Sequence, residues 1–425
     1  MLLARRLEFI SRSPDLDLTA ANFPSQTKRI TIPSNAPIEE IRVIVQVTVN
    51  AAESTWRAFG PLSMLKKVTL NVTPNSGSYD AVSASGPSLA ILGDNEGLGL
   101  DRGTRAALLY ANAGHVSLGA NAVPTPAGTI LRMVYRIPIP HPAMTGKLRV
   151  LSLLDCINHR QDPVLTLEFA AAAEFTATAN PFTVAGCEVQ VIRRDIADTV
   201  NQAILRDGGF IRSDIRDTSY DIALSTTNVE KRFALPSPGD YMTSVIMMLG
   251  GTAAGVLTPQ DLSGSTALGS ETQWRLESGG NPQMTWRMKH LQMENDMAKV
   301  VHPVSQFVHL GSGINAVSNL GVTSGVPPVW VTAKGIAGGP NFGGALAAGH
   351  AVQDPAIVCL DFLTDGLTDA GELGSVLNSN FKTDAIKWEI VGNVTTPAAQ
   401  ASTFNIVSRR FKDSVERFKN FPAAV

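Results

Sequence analysis

Two acidic tripeptides, Asp94-Asn95-Glu96 and Glu294-Asn295-Asp296, are the first places in this chain where chemistry could reside. Paired carboxylates can ligate calcium or divide acid and base work in glycoside hydrolysis. Each tripeptide follows a turn and an amphipathic strand pattern, one in each half of the chain. A place repeated in that way favours turn formation, which Asn and Asp side chains support by bonding to nearby backbone. The histidines are scattered. His302 and His309 come nearest to a ligand pair, but their odd separation would put the rings on opposite faces of a strand. No His-x-His pair with a nearby glutamate occurs, so no metal is expected. Cys156, Cys187 and Cys359 lack CxxC spacing and read as small buried apolar residues. The glycines of 335–344 do not lead into a GK[ST] phosphate cradle, and no GxSxG elbow occurs. These residues point to a protein that is not an enzyme and needs no cofactor.

The totals narrow the classes of partner. Charged residues make up 17% of 425, and the formal net charge is -2. A nucleic-acid binder normally carries a basic excess to neutralise phosphates, and none is present globally. No apolar run is long enough to span a bilayer as a helix. The opening MLLARRLEFISRS has arginines inside its apolar stretch and lacks the layout of a secretory signal. A reducing compartment is therefore expected, and the sequons at Asn71 and Asn393 are expected to stay unmodified.

The elements that would have to position any site are mostly short strands. Glu40 to Val49 is a β-branched run with Val43, Val45, Val47 and Val49 on one face. Further strands are expected at 28–32, 65–72, 129–137, 165–169, 187–192, 221–224, 231–235, 244–249, 273–277, 284–288, 356–362, 386–391 and 403–407. Crossover helices for a parallel α/β sheet are missing. The expected fold class is all-β: two tandem eight-stranded antiparallel jelly rolls, with short terminal helices and long surface loops. The expected boundaries are an N-terminal basic amphipathic arm over 1–24, a first jelly roll over 25–194 and a linker over 195–212. A second jelly roll over 213–410 and a basic C-terminal tail over 411–425 follow. The Gly/Ala-rich stretch near 311–350 is expected to be a loop, placed on no particular face.

Positive charge concentrates at the ends. Leu3, Leu7 and Ile10 share one face at helical spacing, among Arg5, Arg6 and Arg12. Arg417 and Lys419 belong to a similar pattern in the tail. Such segments suit an anionic surface, either membrane or genome.

Two stretches look like one plan used twice. Leu148–Phe169 and Leu373–Ile390 each run from a short helix-like pattern through a polar turn into a strand. The strands carry Leu167-Glu168-Phe169 and Trp388-Glu389-Ile390. With the runs Pro61–Leu89, Arg136–Phe169, Trp274–Asp296 and Cys359–Gly392, the chain resembles the double jelly-roll major capsid proteins of tailless icosahedral viruses, such as tectiviruses and corticoviruses. The resemblance implies a homotrimer of pseudo-hexameric outline that tiles an icosahedral shell. Its partners would be neighbouring capsomers, penton and minor capsid proteins, and an internal lipid membrane or genome at the inner face. The location implied is the virion capsid, assembled in the host cytoplasm. Two rivals share the strand pattern: a secreted jelly-roll glycan-active enzyme, and a glycan-binding spike or lectin. The first would need convergent carboxylates, and the second aromatic platforms, yet aromatics make up only 6%.

Overall fold

The structure is a computed structural model that describes residues 4–11, 26–51, 56, 60–74, 77–96, 104, 127–140, 149–150, 152–154, 159–176, 178–195, 213–222, 229–235, 240–251, 273–288, 291, 307–310, 329–332, 357–361, 377–378, 388–394 and 402–412. In the first half the strands are β1 (Ala4–Ser11), β2 (Gln26–Thr31), β3 (Ile38–Val49), β4 (Leu65–Pro74), β5 (Tyr79–Ala84), β6 (Ile130–Pro138), β7 (His159–Phe169) and β8 (Phe182–Asp195). A ten-residue helix, α1 (Gly86–Asn95), follows β5, and a single helical turn, Ala172–Phe175, lies between β7 and β8. The second half has β9 (Ser213–Ile222), β10 (Val229–Ala234), β11 (Asp240–Gly251), β12 (Trp274–Ser278) and β13 (Asn281–Trp286). It continues with β14 (Phe307–Leu310), β15 (Val329–Thr332), β16 (Ile357–Asp361), β17 (Leu377–Asn378), β18 (Trp388–Val394) and β19 (Ser402–Lys412).

The two halves are wired alike. The first forms one sheet in the order β1-β8-β3-β6 and one in the order β2-β7-β4-β5. Set aside β14 and β15, which pair with each other, and β17, which pairs off β11. The remaining strands of the second half then give β9-β19-β11-β16 and β10-β18-β12-β13. In each half the order is first-eighth-third-sixth facing second-seventh-fourth-fifth, the wiring of a jelly roll.

Alternation builds each sandwich. Along β3 the side chains of Ile41, Val43, Val45, Val47 and Val49 are buried in the first core, while Gln46 faces out. Strand β4 answers with Leu65, Val68, Leu70 and Val72. The second core gathers Phe233, Trp274, Leu276, Ile390, Phe404 and Ile406. Phe233 and Phe404 meet with ring centroids 4.2 Å apart, and Trp274 lies 5.9 Å from Phe404. Each fully buried aliphatic or aromatic side chain stabilises its half by about 1.5–3 kcal/mol relative to exposure.

Four sheets are reduced to three large ones by a single junction. Strand β5 runs parallel to β9, with Val82 opposite Ile215 and Ser83 opposite Arg216. One nine-stranded sheet therefore passes through both halves. On its second-half portion, Ile215, Val407 and Cys359 belong to the first core, whereas Ile222, Phe404, Ile406 and Val358 belong to the second. The two cores thus lie on opposite faces of one sheet.

Three sequence expectations change. The helix expected at the N-terminus is strand β1, antiparallel to β8 from Ala4↔Asp195 to Ser11↔Val189. Extended backbone wins because pairing with β8 satisfies its amides and lets Ile10 pack on the first core. Strand β9 begins at Ser213 rather than at Asp221, since its polar residues are used at the seam between the halves; residues 223–224 of the expected strand lie outside the described residues. The proposed repeat is right in strand and wrong in register. Strands β7 and β18 are both the seventh of their half, yet Leu167-Glu168-Phe169 ends β7 while Trp388-Glu389-Ile390 begins β18. The expected helix of the C-terminal tail lies outside the described residues beyond Lys412.

Candidate functional site

The junction of the two halves is where polar side chains converge. Ser85 precedes α1, and its Oγ accepts the amide of Ser88 at 3.4 Å, an N-cap. Pro87, in the first turn, suits a position whose amide needs no helical partner. At this end of α1 the Asp217 carboxylate of β9 accepts three hydrogen bonds on Oδ2. They come from Ser85 N at 3.1 Å, Ser85 Oγ at 2.7 Å and Ser88 Oγ at 2.6 Å. A carboxylate at a helix N-terminus also gains from the helix dipole.

The other end of α1 is tied to the second half as well. Glu96 follows its last turn and is buried, and Arg409 of β19 donates from Nη1 to both its oxygens at 2.6 Å. Nη2 of Arg409 reaches the carbonyl of Ile139, which also accepts from Ser213 Oγ at 3.2 Å. The helix is a strut fixed at both ends to the partner half. Glu96 of the Asp94-Asn95-Glu96 tripeptide is thus engaged in a buried ion pair, and Glu294-Asn295-Asp296 lies outside the described residues.

A second set of ions closes each sandwich at one end. Arg193, fully buried, donates to Glu8, to the carbonyl of Ala36 at 2.6 Å and to that of Pro33 at 2.6 Å. Arg410 makes a bidentate pair with Asp214, both bonds 2.8 Å. Nearby, Arg194 and Arg149 hold Glu39, and Arg136 and Arg42 hold Glu40. Burial pushes both carboxyls up, but these hydrogen bonds and charges outweigh it and hold them below the ordinary 4.5.

No family model matches the chain, and no curated protein matches it. Solved structures do. The STIV major capsid protein aligns over 99% of this chain and 100% of its own, at 13% identity and a TM-score of 0.54. A chain of Sulfolobus Turreted Icosahedral Virus gives 13% identity and 0.54 over 99% of this chain and 94% of that one. The PBCV-1 virus capsid gives 10% and 0.50 over 97% and 96%. The fold is the double jelly roll of viral major capsid proteins.

Within this double jelly roll the residues expected at an anionic surface are only partly brought together. Arg6 is exposed beside Leu7, 48% exposed, and Phe9, 46% exposed. Ile10 packs inward. The apolar stripe Leu3-Leu7-Ile10 therefore does not form; strand geometry replaces it with Leu7 and Phe9, two residues apart. Arg5 lies in β1, while Leu3, Arg12, Arg417 and Lys419 lie outside the described residues. Cys187 and Cys359 are buried, and burial pushes the Cys187 thiol up to about 12. Among the described residues no three His, Cys, Asp or Glu side chains gather as metal ligands.

The seam residues escaped the sequence reading because their partners are remote: Glu96 and Arg409 are 313 positions apart. One signal was available. Val191-Ile192-Arg193-Arg194 and Val407-Ser408-Arg409-Arg410 end the last strand of each half with a doubled arginine.

Proposed function

We propose that this chain is the major structural protein of an icosahedral virus shell, with no catalytic role. Three copies form a trimer of pseudo-hexameric outline, and trimers tile the shell beside penton and minor capsid proteins. The observation that carries this reading is the single sheet running through both jelly rolls, locked by α1 at both ends. It makes the pair of sandwiches one stiff block, which a shell needs and a hinged two-domain enzyme avoids. The working boundaries are jelly rolls over 25–194 and 213–410, with β1 added to the first, a linker over 195–212 and basic ends. Near-neutral net charge lets broad side faces associate without a large Coulomb penalty.

Arg5, Arg6 and Arg12, with Arg417 and Lys419, are the basic groups we assign to the inner face, against a membrane or genome. With Leu7 and Ile10 fixed in β1, this attraction rests on charge, and each basic residue contributes on the order of 1 kcal/mol. Light scattering of the purified protein should give the mass of three chains, and electron microscopy should show hexagonal capsomers or shells. A monomer at all accessible concentrations would end the shell reading. For the inner face, anionic vesicles should retain wild type more than an Arg5/Arg6/Arg12→Ala variant, with the difference vanishing at high salt.

A further inference from the structure

Each jelly roll ends one of its sheets on its second strand. Among the described residues β2 pairs only with β7, and β10 only with β18. The two edges are wired alike but charged differently. Along β10 the outward charges are taken up by the sheet itself. Arg232 donates to Glu277 at 2.6 Å and to Glu389 at 3.2 Å, and Arg275 donates to Glu230 at 2.9 Å. Two arginines there meet three carboxylates, which leaves no cation unmatched.

Strand β2 is the opposite case. Thr27, Arg29 and Thr31 are exposed on its outer face, Lys28 is half-buried, and Ile30 anchors the strand in the first core. Beside the three exposed residues stand Glu168, Thr166 and Val164 of β7, then Lys67, Thr69 and Asn71 of β4. Lys28, Arg29 and Lys67 form no salt bridge among the described residues, and Glu168 is the one carboxylate in these rows. The strip therefore carries surplus positive charge. Its edge is also regular: pairing with β7 runs unbroken from Gln26↔Phe169 to Thr31↔Val164, without bulge or proline. Edge strands are commonly blunted by such features or by charge. Here only charge is used, and charge selects, since it repels a basic strand and admits an acidic one.

We infer that β2 is a docking edge for an extended acidic segment of another protein, which adds as a further strand beside Thr27–Thr31. Its backbone pairs with the outward amides and carbonyls of β2, and its carboxylates meet Lys28 and Arg29. The matching edges of a second copy are poor occupants, because they carry Lys28 and Arg29 or Lys231 and Arg232. The contact does not depend on the trimer, so either can fail without the other.

Peptide binding to the full chain in its native assembly tests the contact. The probe is a fluorescent peptide of alternating Glu and Thr, six residues long like β2, followed by anisotropy. It should bind, and added salt should weaken it. The same peptide N-methylated at alternate residues keeps its charge but loses amides needed for pairing, and should not bind. Lys28→Glu combined with Arg29→Glu should weaken binding by about fivefold or more, exposed charge pairs being individually weak. Lys231→Glu on β10 should change nothing. Circular dichroism checks that the double variant is folded; if it is not, the N-methylated peptide decides alone. Equal binding of the two peptides would reduce the contact to charge and overturn the inference. So would a folded double variant that binds as well as wild type, or a Glu-Thr peptide that does not bind at all.

Discussion

Arg193 and Arg410 occupy matching places in the two jelly rolls. Each points into its sandwich from the last strand of its half and donates to a carboxylate on the first strand, Glu8 in one case and Asp214 in the other. Arg193 lies between β1 and β3, Arg410 between β9 and β11. This pairing is stronger evidence for a duplicated unit than the apolar-Glu-apolar steps, which sit at opposite ends of β7 and β18.

Removing Arg193 takes the buried partner from the half-buried Glu8, and removing Arg410 takes the bidentate partner from buried Asp214, which keeps Arg216 at 3.6 Å. Breaking a buried pair from one side typically costs about 3–5 kcal/mol. Arg193→Ala should cost at least as much as Arg410→Ala, because the carbonyls of Ala36 and Pro33 also lose their donor. Urea unfolding of both variants measures this. A loss under about 1 kcal/mol in either would place that ion pair in the class of weak surface contacts.

The strut should behave as a coupling between halves. Glu96→Gln and Arg409→Met each break the same buried pair, so their effects should not add. Residues in direct contact of this kind show coupling of about 0.5–3 kcal/mol. A double-mutant cycle followed by unfolding gives the value. The single variants should also separate one transition into two, because α1 then grips the second half less firmly at its Glu96 end. A single sharp transition with additive losses would mean that α1 does not link the halves.

Much of the fold was legible because β strands write alternation into the sequence. Ile41 to Val49 and Leu65 to Val72 announce their faces directly. The N-terminal strand is ambiguous in sequence because Leu3, Leu7 and Ile10 fit a helical spacing, while Leu7 and Phe9 fit a strand equally well. Only pairing with β8 decides between them. Helix α1 is signalled only by the cap Ser85 and the first-turn Pro87; its ten residues offer too short a period to stand out among strands. The seam could not be read at all, since no local pattern tells Glu96 that its partner is Arg409.

Gly392 shows how tightly the second core is closed. An added Cβ there would lie 2.1 Å from Cδ2 of Trp274. Trp274 is fully buried and stacked near Phe233 and Phe404, so it has nowhere to move. Alanine ordinarily suits a strand better than glycine. Here overpacking decides the sign, and Gly392→Ala should destabilise by about 1–3 kcal/mol. A lowered melting temperature checks it, and Trp274→Phe in the same chain should recover part of the loss. An unchanged or raised melting temperature would mean that the indole can yield.

Acid should weaken the first jelly roll through Glu39 and Glu40. Their folded-state carboxyls sit below the ordinary 4.5 because Arg194 and Arg149, and Arg136 and Arg42, outweigh burial. The unfolded chain therefore binds protons before the folded one does. The stabilisation is fully present above 4.5 and is lost as pH falls through the lower folded-state values. Chemical denaturation between neutral pH and pH ~3 should show stability dropping on the acid side with protons taken up on unfolding. Glu40→Gln should begin less stable at neutral pH and fall less steeply in acid, because one of the two titrating groups is gone. Parallel curves for wild type and Glu40→Gln would show that Glu40 does not set the acid limit.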